Sequence, residues 1–274
     1  MDASGDNCRV TEPDWTSAAD PARRVGQAVE FHPEIGSTND RARAALAEPD
    51  GEGLAVVADL QTAGRGRRGR SWASPSGVNL MVSVGLRPRL TASRAGLLGI
   101  VSALAVRDAS ASLLPNDVLR VKWPNDVVAA DGRKVAGLLV ETAVSGDQLT
   151  EAVIGMGINV NWPADEMPAD LAERAVSLCD LGDRQLDRVE LLRRLLPALD
   201  RELTALEGGQ SPIERLAAVS ALDGRQVSVD TGSEQLDGTA AGISADGQLL
   251  LDTPDGRRTI AVGEVVSVRE TVAV

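Results

Sequence analysis

Between residues 119 and 161 the sequence leaves no room for a helix. Four extended, mostly apolar runs follow one another there, at 119–123, 127–130, 134–143 and 151–161. Asp131-Gly132, between the second and third runs, is the strongest hairpin signal in the chain. Parallel neighbours need a crossover of about a dozen residues or more, so a doubly wound parallel sheet is excluded. Further strands are expected at 28–33, 53–60 and 78–86, with an Ala/Leu-rich helix over 91–114. Ser37-Thr-Asn-Asp40 looks like a capping box opening another helix. An amphipathic helix over 187–207 carries Leu191, Leu192, Leu195, Leu196 and Leu199 on one face, and Pro197 is expected to kink or split it. From about Ala221 short alternating runs separated by Asp-Gly or Gly turns predict a small five-stranded barrel. The fold class is α+β: a mixed or antiparallel sheet backed by helices, with a C-terminal β-barrel. The expected organisation is a flexible tail at 1–25, a main domain at 26–220 and the barrel at 221–274.

The core must be built from Val, Leu and Ala, because the 274 residues include one Phe, four Trp and no Tyr. With 28 basic against 40 acidic residues the net charge is -12, which argues against a protein that coats duplex nucleic acid. Cys8 and Cys179 are too few for a disulfide framework or a CxxC metal site, and His32 is the sole histidine, so no ordinary Zn site is available. No metal ligands are assignable. The acidic N-terminus lacks a signal-peptide apolar region, and the longest apolar stretch, 96–106, falls short of the ~20 residues that span a bilayer. A cytoplasmic protein without membrane segments is expected.

Three segments could carry chemistry. The first is Gly64-Arg-Gly-Arg-Arg-Gly-Arg70, followed by Ser71-Trp72. Arginine forks bind phosphate or carboxylate oxygens in pairs, and glycines let backbone approach a ligand. The pattern is neither a Walker loop nor a dinucleotide fingerprint. Like-charge repulsion and glycine content predict a loop that is mobile without ligand. An exposed RNA-binding segment, or a merely solvated loop, remains open. The second is Arg120-Val-Lys-Trp-Pro-Asn-Asp126, where Lys122 would be a fixed cation on a stiff backbone, unless Asn125-Asp126 simply turns the chain and Lys122 is a surface charge. The third pairs Lys134-Val-Ala-Gly-Leu-Leu-Val-Glu141 with Gly155-Met-Gly-Ile-Asn-Val-Asn161, whose small residues make room for a slender ligand or for close strand packing. Trp72, Trp123 and Trp162 lie beside these motifs, which suggests a ligand wall in so aromatic-poor a chain.

Taken in order, Ser37-Thr-Asn39, GRGRRGR-SW, KWPND, KVAGLLVE, G-x-G-x-N and the C-terminal GEVVSVR resemble the biotin protein ligase family over roughly residues 30–270. The resemblance implies a catalytic domain related to class II aminoacyl-tRNA synthetases and an SH3-like C-terminal domain. It implies ATP, Mg²⁺ and biotin as reactants, biotinyl-5′-AMP as intermediate, and a biotin carboxyl carrier protein domain as acceptor. By the same resemblance Ser37, Thr38, Asn39 and Gln61 hold biotin's ureido head, with Gly64, Arg65, Gly66, Arg67 and Lys122 completing the biotin site. Arg67 and Lys122 are the catalytic candidates. Arg65, Arg68, Arg70, Trp72, Asn125, Asn159 and Arg269 are expected at the ATP or adenylate. Some relatives carry an N-terminal helix-turn-helix; only about 25 residues precede the match here, so no DNA binding is expected. The alternatives are a lipoate or octanoate attachment enzyme and, in another class, an RNA-binding regulator that uses the Arg-Gly loop.

Overall fold

The computed structural model describes residues 13–269. Seven strands form the main sheet: β1 (Val29–Ile35), β2 (Ala55–Gln61), β3 (Leu80–Leu86), β4 (Leu119–Lys122), β5 (Asp126–Ala129), β6 (Lys134–Ser145) and β7 (Gln148–Ile158). Their order is β1-β2-β3-β7-β6-β5-β4. Only β1 and β2 run parallel, because helix α1 (Thr38–Ala45) crosses between them. Every other neighbour is antiparallel, as the short connections from β4 through β7 require for those four strands. The α+β class with a mixed sheet is the one expected.

Alternation along the strands divides the sheet into two faces. Ala55, Val57, Leu80, Val82, Val84, Ala136, Leu138, Ala152 and Ile154 belong to the large core. On that face lie α2 (Ala95–Ala111), apolar nearly all round, and α5 (Arg188–Glu207), whose five expected leucines are all buried. Val56 and Val153, pointing the other way, pack with Ala42 and Leu46 under α1. Residues of the same parity, Met81, Ser83, Gly137, Glu141, Gly155 and Gly157, therefore face α1's side, where the cleft opens. Short helices α3 (Ala169–Ala172), α4 (Leu178–Gly182) and α6 (Ile213–Ala218) complete the layer connections.

The C-terminal unit contains β8 (Gln226–Asp230), β9 (Gln235–Ile243), β10 (Leu249–Thr253), β11 (Gly256–Ile260) and β12 (Glu264–Arg269), in the order β11-β10-β9-β8-β12. All pairs are antiparallel, in keeping with an SH3-like unit. Its core of Val227, Val229, Leu249, Leu251, Ile260 and Val265 also includes Trp123 from the main unit. The Trp123 indole donates to the Gly247 carbonyl at 2.9 Å. Thus one tryptophan side chain ties the two units together beside Lys122.

Three expectations are corrected. Residues 13–25 are not a flexible tail: Trp15–Ala18 forms a 3₁₀ turn capped by Asp14, and Trp15 is 2% exposed. Its ring stacks on Phe31 at 5.7 Å and lies 5.2 Å from the Arg188 guanidinium. Val25 donates to Asp200 at 2.9 Å, which fixes the end of the segment against α5. A single turn has no periodicity to read, so only the tryptophan itself signalled burial. Residues 1–12, including Cys8, lie outside the described residues. Second, Pro197 does not split α5, which continues through it between the buried Leu196 and Leu199. Third, Ser37 makes no side-chain cap on α1; the Gln61 side chain accepts from the Thr38 N–H at 2.8 Å instead. Ser177 with Asp180, at α4, does form a capping box. Among the described residues no helix is long and apolar enough to cross a membrane.

Because Trp15 is enclosed and stacked, Trp15→Ala should destabilise the protein by about 3–5 kcal/mol. Urea unfolding would measure it, and a loss below about 1 kcal/mol would mean that the segment is loosely held after all.

Candidate active site

A cleft of about 320 Å³ opens on the α1 face of the sheet, within the range of small-molecule sites. At one end the N-terminus of α1 sinks Ser37, Thr38 and Asn39 to 3–5% exposure. Of these, the Thr38 and Asn39 side chains are linked in a chain of hydrogen bonds. Glu141 accepts from Asn39 Nδ2 at 2.6 Å, Asn39 Oδ1 accepts from the Ser83 hydroxyl at 2.6 Å, and Ser83 pairs with the Thr38 hydroxyl at 2.7 Å. Thr38 Oγ1 in turn donates to Gln61 Oε1 at 3.1 Å. Burial raises the Glu141 carboxyl, but Asn39, Arg43 and Arg65 outweigh it and hold the group below the ordinary carboxylate range. The contacts orient the Asn39 and Gln61 amides, while the two hydroxyls, with one proton each, donate in two of their three contacts at a time.

The floor is made of glycines. A Cβ at Gly155 would stand 2.1 Å from Asn39 Oδ1, and one at Gly157 would stand 2.5 Å from Trp72 Cε2. Gly137 is similarly crowded by the Lys134 ammonium and the Trp72 ring. The indole lies directly on β6 and β7, with the Lys134 Nζ 5.7 Å from its ring. Its own N–H is buried without a partner, so the ring lies at a slot with an unmet polar demand.

The arginine segment forms a compact turn rather than an open loop. Gly66 donates to the Arg70 carbonyl at 2.7 Å, and Trp72 to the Gly64 carbonyl at 2.9 Å. The Gly66 N–H is therefore spent within the turn rather than offered to a ligand. Like-charge repulsion is answered by carboxylates. Arg65 pairs with both Asp40 oxygens at 2.6 and 2.8 Å, Arg68 with Asp230 at 2.6 Å and Arg70 with Glu264 at 2.7 Å. Arg67 has neutral partners only, Asn125 Oδ1 and the Gly263 carbonyl, both at 3.1 Å. Burial pushes its guanidinium below the usual arginine value, against the pull of Asp126 and Glu264. Lys122 is likewise without an ion pair among the described residues; burial lowers its pKa, Asp126 opposes this, and the neighbouring Lys134 adds to it. Lys134 is neutralised by Asp126 at 2.7 Å.

Of the expected site residues, the cleft is lined by Ser37, Thr38, Asn39, Gln61, Arg65, Gly66, Arg67, Arg70, Trp72, Lys122 and Asn125. Gly64, Arg68 and Asn159 are not on its surface. Gly64 is packed against the Trp72 carbonyl, where a Cβ would approach to 2.4 Å. Arg68 turns away to the C-terminal unit. Asn159 is buried, donating to the Lys134 carbonyl at 3.3 Å, and acts on the backbone beneath the site. Arg269 ends β12 opposite Gln226, and its side chain lies outside the described residues. Trp162 packs with Met167 and Ala175 instead of walling the cleft. His32 is remote, bonded to Glu30 on β1. Ser83, Asp126, Lys134, Arg174 and Glu264 line the cleft without having been singled out as site residues; period-two counting along β3 and β6 could have found Ser83. The carboxylate pairing also disfavours the RNA-binding alternative, since three of the four loop arginines are already engaged.

The described residues contain no group of three or more His, Cys, Asp or Glu suited to a metal. Asp126 and Glu264 reach the cleft but are already paired with Lys134 and Arg70, which fits a Mg²⁺ ion that arrives on nucleotide phosphates better than one held by protein alone.

Comparison with known proteins agrees with this geometry. Residues 33–159 match the model of the biotin/lipoate A/B protein ligase family, and residues 224–267 that of the biotin protein ligase C-terminal domain. The biotin–[acetyl-CoA-carboxylase] ligase of Mycobacterium tuberculosis is 36% identical, over 86% of this chain and 87% of its own. The enzyme of the same description from Paracoccus denitrificans is 37% identical over 77% and 88%. The biotin protein ligase of Aquifex aeolicus, solved with biotin and ATP, superposes with a TM-score of 0.75 at 31% identity, covering 89% of this chain and 99% of that one. The chain belongs to the biotin/lipoate A/B protein ligase family, and within it to the biotin protein ligases.

Proposed function

We propose that the cleft performs ATP-dependent biotinylation in two steps. The biotin carboxylate attacks the α-phosphorus of ATP, the bond to the bridging oxygen breaks, and pyrophosphate leaves as biotinyl-5′-AMP forms. The amine of a carrier lysine then attacks the acyl carbon, loses a proton as the amide forms, and AMP departs. The observation that carries this reading is the charge balance of the cleft: among its cations, Arg67 and Lys122 lack ion-pair partners within the described residues, and both face the space next to the buried Ser37-Thr38-Asn39 end. Two anions must meet there, and two unspent positive charges oppose their repulsion.

In this reading Ser37, Thr38, Asn39 and Gln61 take the ureido ring, whose carbonyl and N–H groups need fixed donors and acceptors in a dry pocket. Arg67 and Lys122 hold the carboxylate and α-phosphate, Arg65 and Arg70 stand at the rim, and Trp72 marks the adenine slot. Asn125 aims Arg67, and Asn159 supports Lys134 through its main chain. Arg269 is assigned to the nucleotide on family likeness. Mg²⁺ bound to ATP would neutralise phosphate charge; the cleft carboxylates Asp126 and Glu264 would reach it only by giving up Lys134 and Arg70. We assign residues 26–220, with the packed segment 13–25, to the catalytic unit, and the described residues from 221 to 269 to the SH3-like unit. The acceptor is a biotin carboxyl carrier domain of a carboxylase, as the names of the relatives support, and the setting is cytoplasmic. The biotin-specific names and the C-terminal domain match favour biotin over lipoate.

The decisive experiment is pyrophosphate release from ATP on adding biotin, with lipoate as control, followed by mass spectrometry of a carrier domain. Release with lipoate alone would overturn the biotin assignment.

Lys122→Ala should slow single-turnover adenylate formation by about 10²–10³, with little change in thermal midpoint. A wild-type rate in that variant would show that Lys122 has no part in the step. Because burial holds the Lys122 ammonium below the ordinary lysine range, it loses its proton at lower pH than an exposed lysine. The kcat/KM for adenylation, which reports the unliganded site, should therefore decline on the alkaline side before an exposed lysine would titrate, and Lys122→Arg should move that decline to higher pH. Arg67→Ala should increase biotin transfer to bystander lysines, scored by blotting, as the intermediate escapes; unchanged labelling would argue against its retaining role.

A further inference from the structure

Arg68 is the residue at the tip of the arginine turn, and its backbone is unusual. It sits at φ 56° and ψ 36°, a left-handed conformation that a residue with a Cβ adopts at a penalty, next to Gly69 at φ 73°. Its side chain is the one arginine of the four that is absent from the cleft surface. Instead Nη1 donates to Asp230 Oδ2 at 2.6 Å and Nη2 to the Asp230 carbonyl at 3.2 Å. Asp230 is itself fixed, its Oδ1 accepting from the Gly232 N–H at 2.7 Å.

The C-terminal unit needs this contact as much as the turn does. Asp230 at the end of β8 lies in register opposite Glu264 at the start of β12. Like charges directly opposite in an antiparallel pair repel. Here they are met by Arg68, 3.8 Å from Glu264 as well as 2.6 Å from Asp230, and by Arg70 on Glu264. The two-carboxylate edge and the two-arginine tip complement each other, and between them Arg67 is aimed at the cleft.

We propose that Arg68 and Asp230 form a latch by which the C-terminal unit holds the arginine turn over the cleft, so that both act as positioning residues for retention of the adenylate. This rests on the ligase reading. Arg68 does not touch the nucleotide; it keeps the turn closed while the mixed anhydride waits for the carrier lysine, shielded from water. Exposed ion pairs shift such equilibria modestly and are screened by salt, so the latch is releasable when the carrier arrives.

The test uses the full chain loaded with biotin and ATP in single turnover. Arg68→Gly removes the fork but relieves the backbone penalty, which offsets the unmet Asp230–Glu264 repulsion, so the thermal midpoint should stay close to wild type. Arg68→Gly and Asp230→Asn should each speed biotinyl-AMP release about three- to tenfold, with adenylation within about twofold of wild type. The double variant should release no faster than the worse single. Wild-type release should accelerate with added salt, and Arg68→Gly should lose much of that dependence. Wild-type retention in both variants, multiplying effects in the double, or loss of adenylation in Arg68→Gly would each overturn the latch. Tryptic cleavage of the unliganded turn gives a readout independent of biotin: Asp230→Asn should be cut faster than wild type, and equal cutting would count against the latch. If the wild type forms no adenylate while the cleavage difference is present, the ligase reading fails and the latch stands.

Discussion

A Cβ at Gly155 would stand 2.1 Å from the Asn39 side chain, and one at Gly157 would stand 2.5 Å from the Trp72 ring. This closeness of side chains to bare sheet backbone is the constraint from which the cleft follows. It lets α1 bring Thr38 and Asn39 down onto the sheet, where Ser83 of β3 and Glu141 of β6 satisfy them, with Ser37 buried beside them. It lets the indole lie flat across β6 and β7, which sets the height of the slot beside Lys134. Larger residues at these positions would lift both elements off the sheet and separate the two halves of the site.

Charge is the second organising term. Packing arginines in a short turn is unfavourable unless anions are near. The fold supplies them from three directions: Asp40 on α1, Glu141 on β6, and Asp230 with Glu264 on the C-terminal unit. What these pairs leave over is decisive for chemistry. Arg67 and Lys122 keep their charge for a ligand, partly buried, where an electrostatic contact is worth more than at the surface.

The small C-terminal unit thus belongs to the site rather than merely following it in the chain. Trp123 is buried in its core next to Lys122, while Gly263 and Glu264 hold the arginine turn. A change in how the two units sit would reach Lys122 and Arg67 together.

The sequence by itself determined the antiparallel succession 119–161, the burial of α2 and α5, the β-rich C-terminal texture and most of the cleft lining, because each is written in local periodicity, turn residues or short motifs. It also led to the family through the order of those motifs. Local patterns could not reveal the 3₁₀ turn around Trp15, whose stability comes from Phe31 and Arg188 far along the chain. Nor could they tell Arg67 from Arg68, adjacent residues of one type in one motif. Only the tertiary structure, by placing Asp230 and Glu264 beside the turn and Asn125 beneath it, turned one arginine outward and the other into the cleft, because the partner that decides each direction comes from a distant strand or loop.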